Sequence, residues 1–264
     1  MRLRTFPPLA VMLGMLMLGC GQAHEASPAP GTLAEAAPAK PFDHALLDEI
    51  LQAHVKNGFL DYAALKAEHA MQLDRYLQSL AEVRGFATRD DELAFWLNAY
   101  NTCVIKAVLE RYPDIKSVMD IDDFFTATRW RLAGKTYSLD ELEKEIIRPE
   151  FKDPRVHFIL VCASQSCPPL QREAMDPSRL DSQLDAATRA ALNDVKYVKV
   201  DPEAKTLTVT RIMSWYQQDF IDDAGSVQSY VAKYSAEPRK SQLKQGEYAL
   251  EFMEYDWSLN DVSR

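Results

Sequence analysis

Val156-His157-Phe158-Ile159-Leu160-Val161-Cys162 is nearly continuous apolar and rich in β-branched and aromatic residues. That is the composition of a strand buried on both faces and central in its sheet. The segments ahead of it read as helices. Asp43 to Val55 carries Leu46, Leu47, Ile50, Leu51 and His54 at helical spacing, with Gly58 as its stop. A second helix from Tyr62 to Val83 aligns Leu65, Leu73, Tyr76, Leu77 and Leu80. A third, from Asp91 to just before Pro113, presents Leu93, Trp96, Leu97, Tyr100, Val104, Ala107 and Val108 on a broad face that only a core position can bury. Trp130 to Tyr137 reads as a hairpin turning at Ala133-Gly134, and Ser138-Leu139-Asp140-Glu141 as a capping box opening a helix to Ile147. After the apolar run, Pro177 opens a helix to Leu192, and Val195–Val200 and Thr206–Thr210 form a hairpin across Asp201-Pro202. Helices precede strands without regular crossovers. The expected class is therefore α+β, with N-terminal helices packed on a mixed or antiparallel sheet.

Composition narrows the function. Of the 264 residues, 47% are hydrophobic and 26% charged, enough to bury a core. The formal net charge of -9 lacks the basic face that a phosphate backbone demands, so nucleic acid is not an expected partner. Residues 1–20 have the three-part layout of an export signal: Arg2 and Arg4, an apolar run from Leu9 to Leu18, then Gly19-Cys20. The run is roughly half of what a membrane-crossing helix needs. Met17-Leu18-Gly19-Cys20 resembles a bacterial lipobox, with Met17 where Leu is usual, which makes Cys20 the expected lipid acceptor and the membrane a partner through that anchor. Residues 21–41 are rich in Ala, Pro, Glu and Ser and read as a tether, and residues 42–264 as a single globular domain. Gly21, rather than Asp, after the acceptor points to the periplasmic face of the outer membrane.

Two segments place reactive groups inside apolar surroundings. Asn98 and Asn101, beside Trp96 in the third helix, are three apart and share a face. They either satisfy buried backbone groups of an adjoining loop or act as oxyanion donors or histidine partners. In the apolar run, His157 lies near the start and Cys162 at the end, on opposite faces of a regular strand. Cys167 follows on a loop with Ser164 and Ser166. A thiol beside an imidazole attacks carbonyls, whereas an oxidising compartment favours a Cys162–Cys167 disulfide, and the residues leave both open. Downstream, Trp215 reads as core and Asp219 as a partner for His157 or Arg155. Cys103 reads as a buried, inert thiol. The spacing of Cys and His supports no metal site, and no glycine-rich phosphate loop follows a strand, so neither metal nor cofactor is expected.

Phe95-Trp96-Leu97-Asn98-Ala99-Tyr100-Asn101, the stretch from His157 to Cys167-Pro168, Ser214-Trp215-Tyr216 with Asp219-Phe220, and the closing Tyr255-Asp256-Trp257-Ser258-Leu259-Asn260 together resemble DUF547, a family to which no reaction is assigned. The resemblance runs from Phe42 to Asn260 and implies an exported or lipid-anchored protein. A more distant likeness to papain-like and transglutaminase-like folds puts Trp96, Leu97 and Asn98 where a nucleophilic cysteine would open the helix. The leading expectation is an envelope-tethered module. Its cleft, formed by Asn98, Asn101, His157 and the Cys162–Cys167 loop, binds a peptide or small polar ligand. The alternatives are a thiol hydrolase or acyl transferase using Cys167 and His157, and a structural scaffold.

Overall fold

Thr88 opens the helix that organises the domain. Its side chain accepts the amide of Asp91, and Asp90, Asp91 and Glu92 lie in the first turn, where the helix dipole favours carboxylates. A computed structural model describes residues 40–263 of the chain. The expected export signal with its lipid acceptor Cys20 and the expected tether up to residue 39 lie outside the described residues.

The chain begins with α1 (Ala45–His54), then a miniature hairpin of β1 (Val55–Lys56) and β2 (Phe59–Leu60). Gly58 therefore turns a hairpin rather than stopping the helix: Asn57 and Gly58 both have positive φ, 54° and 83°, as a two-residue turn of this hand requires. A Cβ at Gly58 would sit 2.6 Å from Pro169 Cβ, so the position needs glycine on both counts. The expected helix from Tyr62 to Val83 is two, α2 (Tyr62–Glu68) and α3 (Ala70–Ala81), broken at His69. Then comes α4 (Arg89–Arg111), buried over most of its circumference.

The hairpin of β3 (Trp130–Leu132) and β4 (Lys135–Tyr137) turns at Ala133-Gly134, and the capping box at Ser138 and Glu141 is fully formed around α5 (Leu139–Glu141). The helix continues as a π-helical turn over Leu142–Ile147 into α6 (Arg148–Phe151). Beyond α7 (Leu180–Asn193), β5 (Val198–Asp201) and β6 (Thr206–Val209) pair antiparallel as expected. After α8 (Ile212–Trp215), α9 (Gln217–Ala224), α10 (Val227–Tyr234) and α11 (Arg239–Gln245), β7 (Ala249–Phe252) adds to β6 in parallel, completing a mixed three-stranded sheet. The class is α+β, with the N-terminal helices ahead of the sheets.

The apolar run from Val156 to Cys162 corrects the sequence reading: it is not a strand. Pro154–Phe158 forms a 3-10 helix, capped by the Asp153 side chain on the Arg155 amide, and the chain then runs irregularly through the core. Its backbone groups are satisfied by local backbone bonds, such as Leu160 N to Val156 O at 2.9 Å, and by side chains instead of a neighbouring strand. Asn101 Nδ2 donates to Ile159 O at 3.0 Å and Asn101 Oδ1 accepts from Val161 N at 3.0 Å. A buried apolar run has no period to separate strand from irregular chain, and here an amide from α4 supplies the pairing.

Two apolar clusters meet at this segment. The larger gathers α1 to α5 with Val156, Ile159 and Val161. The smaller joins Phe158 to β5, β6, α9 and α10. His157 lies at their seam. The closing segment then straps the surface: Ser117 Oγ donates to Trp257 O at 2.7 Å, Leu259 N to Lys116 O at 2.8 Å, and Gln165 N to Ser258 O at 2.8 Å.

Candidate functional site

His157 is held on three sides. Its Nε2 lies 2.7 Å from Asp219 Oδ2. The Tyr216 ring stacks on it at 4.0 Å and 18°, and Phe220 closes from 5.5 Å. Asp219 is in turn gripped by Arg148, whose Nε and Nη2 donate to its two oxygens at 2.8 and 3.0 Å, while the Arg148 guanidinium lies 4.9 Å over the Tyr216 ring. Burial works to raise the Asp219 carboxyl, but the hydrogen bonds from His157 and Arg148 outweigh it and hold the group well below the usual carboxylate range. The partner of Asp219 is thus Arg148 rather than Arg155. Arg155 is taken by Asp153, two residues away at 2.7 Å, and by Asp181 at 2.8 Å.

Cys162 and Cys167 are joined as a disulfide. Closing so short a loop contributes on the order of 2 kcal/mol by the chain-entropy model. The Ser164 hydroxyl donates to Tyr255 OH at 2.9 Å, and Tyr255 OH lies 2.9 Å from Cys162 Sγ. A bridged sulfur only accepts, so the hydroxyls form a directed chain ending on the disulfide. Burial pushes the Tyr255 phenol up, partly countered by Ser164. Cys103 is a buried free thiol whose ionisation is pushed well up by burial, as its place on α4 suggests.

These groups surround one hollow of about 440 Å³, open to the surface. His157 and the two cysteines share it; with no regular strand between them, the alternation that separates His157 from Cys162 does not apply. Trp215, Tyr255 and Trp257 form an aromatic wall of the same hollow, with ring centroids 4.7 to 5.7 Å apart. Trp215 is 46% exposed, so it forms the lip and not the core.

Several expected members lie elsewhere. Asn98 is buried against another loop, donating from Nδ2 to Met175 O at 2.9 Å and accepting at Oδ1 from Met175 N at 2.8 Å. Asn101 shapes the wall through Ile159 and Val161 without lining the hollow. Trp96 packs edge-on against Phe95 and Tyr137. Ser166 Oγ accepts the Asp256 amide at 2.9 Å, fixing the strap next to Tyr255. Both asparagines therefore satisfy buried backbone, the blander of their two possible roles.

The residue-type reading misses Glu143 on the π-helical turn, together with Tyr100 of α4. Glu143 is 9% exposed, borders the hollow, and has Tyr100 OH 3.4 Å from its Oε2. A signal was present, because Glu143 follows Leu139 by four residues and falls on the helix's buried face. π-helical turns recur at functional sites, since the extra residue re-aims the side chains around it.

Among the described residues, one group of three metal-type ligands lies together, His54, Glu68 and His69, with ligand atoms within 4.8 Å of one another. The two imidazoles bond to each other, His54 Nε2 to His69 Nδ1 at 2.8 Å, which satisfies those two nitrogens without an ion.

No curated protein and no solved structure matches the chain. Residues 84–191, which carry α4, the π-helical turn, His157 and both bridged cysteines, match the family described as "Protein of unknown function, DUF547".

Proposed function

We propose that this chain is a DUF547 protein and a lipid-anchored envelope module whose hollow beneath Trp215 and Trp257 binds a small polar ligand or peptide side chain. The anchor rests on Met17-Leu18-Gly19-Cys20 and the tether composition, and among the described residues no helix is long and apolar enough to cross a membrane. The binding reading rests on one observation: an aromatic-walled hollow of about 440 Å³ with polar groups at its base and its two sulfurs tied in a bridge. Ligand sites are concave, mostly apolar and furnished with a few polar groups that orient the guest.

The binding test is intrinsic fluorescence, because two of the four tryptophans border the hollow. A bound ligand from a library of small polar compounds and short peptides is expected to shift the emission, and Trp215→Ala to weaken it by about three- to tenfold, the range of one aromatic contact. A library that leaves both emission and melting temperature unmoved rejects the module.

A thiol hydrolase remains the second reading, because His157 and Cys167 share the hollow. A bridged sulfur is no nucleophile, and His157 Nε2 already faces Asp219, so the chain as folded is expected to turn over no thiol-hydrolase substrate. Thiol counting checks bridge and anchor together. Of four cysteines, Cys20 is a thioether in the anchored form and two are bridged, leaving Cys103 alone. Membrane-extracted, denatured chain should thus show one thiol before reduction and three after. Three before reduction would revive the hydrolase, and an extra thiol at both stages would remove the anchor.

A further inference from the structure

A carboxylate offers about four acceptor sites, and a buried one left partly bare costs free energy that a donor recovers. Glu143 is such a group. The Tyr100 hydroxyl reaches its Oε2 and the Tyr216 phenol is a second neighbour of the carboxylate, but Oε1 has no hydrogen-bond partner among the described residues. The cations bordering the same hollow are committed elsewhere: Arg148 to both oxygens of Asp219, and Lys144 to Asp140 at 2.5 Å. His157 Nε2 also faces Asp219. Each of those groups has an immediate ion-pair partner, whereas Glu143, bordering the hollow, has none among the described residues.

The aromatic wall suits a cation. Trp215, Tyr255 and Trp257 pack as a continuous aromatic surface, and the negative face of an aromatic ring attracts cations and lies well against apolar carbon. An anionic guest would meet Glu143, which has no ion-pair partner among the described residues, and a wholly apolar guest would bury Oε1 bare.

We infer that the hollow takes an organic ammonium ion, its nitrogen donating to Glu143 Oε1 and its carbon skeleton resting on the wall of Trp215, Tyr255 and Trp257. This rests on the reading of the hollow as a ligand site and names the class of its ligand. The π-helical turn is then the device that carries the recognition: it places a carboxylate on the buried face of a helix whose other inward residues, Leu139, Leu142 and Ile147, are apolar.

The test uses the full chain extracted from membranes and three probes built on one phenylethyl skeleton: 2-phenylethylamine, 2-phenylethanol and 3-phenylpropionate. Binding is read by tryptophan emission and calorimetry. The amine is expected to bind at least about tenfold more tightly than the alcohol, the scale of a charge-assisted over a neutral hydrogen bond, and the acid more weakly than either. In Glu143→Gln the amine should lose about tenfold while the alcohol changes less than about threefold, because the amide keeps shape and an acceptor but no charge. Wild-type discrimination among the probes decides the matter by itself if that variant does not fold. Acid binding as tightly as amine, or amine binding unchanged in Glu143→Gln, overturns the ammonium assignment. In those cases a probe response that Trp215→Ala weakens still upholds the hollow as a ligand site. Silence from all three probes also overturns the ammonium assignment, and the library screen with Trp215→Ala then decides separately whether the hollow binds anything.

Discussion

Asn98→Ala is expected to lower the unfolding free energy by about 3 to 5 kcal/mol, a third or more of what a typical domain has. Asn98 and Met175 are each 3% exposed, and the amide pairs with both the N–H and the C=O of Met175. Truncation strands two buried backbone groups that cannot turn to water, and it leaves a void. Asn98→Asp should be no better: it keeps the acceptor for Met175 N but sets a carboxylate oxygen against Met175 O and buries an uncompensated charge. Urea unfolding with an unchanged slope is the measurement. The probe affinities of the hollow, by contrast, should stay within about threefold of wild type, because Asn98 does not border it. Full stability together with lost binding would return Asn98 to the role of an oxyanion donor.

Asp219→Asn should cost about 2 to 4 kcal/mol at neutral pH, and its pH dependence identifies the cause. The wild-type carboxylate accepts two bonds from Arg148 and one from His157, so the variant leaves a partly buried guanidinium without its counter-charge. Because the folded carboxyl titrates below its unfolded value of about 3.9, its contribution is present above that value and is lost as pH falls through the folded one. The gap between wild type and variant should therefore be constant through neutral pH and narrow only in acid, below about pH 4. A gap independent of pH down to the acid transition would mean that Asp219 acts by shape and not by charge. The same variant frees His157 to rotate under Tyr216, so hollow affinities should fall alongside stability, unlike those of Asn98→Ala.

These two sites mark how far sequence and fold each decide. The capping box at Ser138, the turn at Ala133-Gly134, the β5–β6 hairpin and the long core helix from Thr88 are legible because every interaction defining them lies within a few residues. The pairing of Cys162 with Cys167 is short-range in the same way, and spacing leaves it open only because redox state is not written in spacing. His157 with Asp219 is one of two partners the residues allow. The choice of Arg148 over Arg155 for the other side of Asp219 belongs to the fold: Asp153 captures Arg155 locally, and the π-helical turn delivers Arg148. The run from Val156 to Cys162 shows the limit most clearly. Its burial is plain from composition, yet strand and irregular chain bury the same side chains, and what separates them is the origin of the hydrogen bonds. Asn101, nearly sixty residues upstream, supplies two of them, so the conformation is fixed by a contact that no local pattern carries. Glu143 is the converse: helical spacing alone puts it inward, and only the assembled walls leave its Oε1 without a donor. The sequence by itself thus determined the helices, the turns, the burial and the inventory of reactive groups, because these follow from local hydrogen bonding and apolar periodicity. The tertiary structure decided which of those groups share a hollow and which charge within it stands unpaired, because that depends on contacts between segments far apart in the chain.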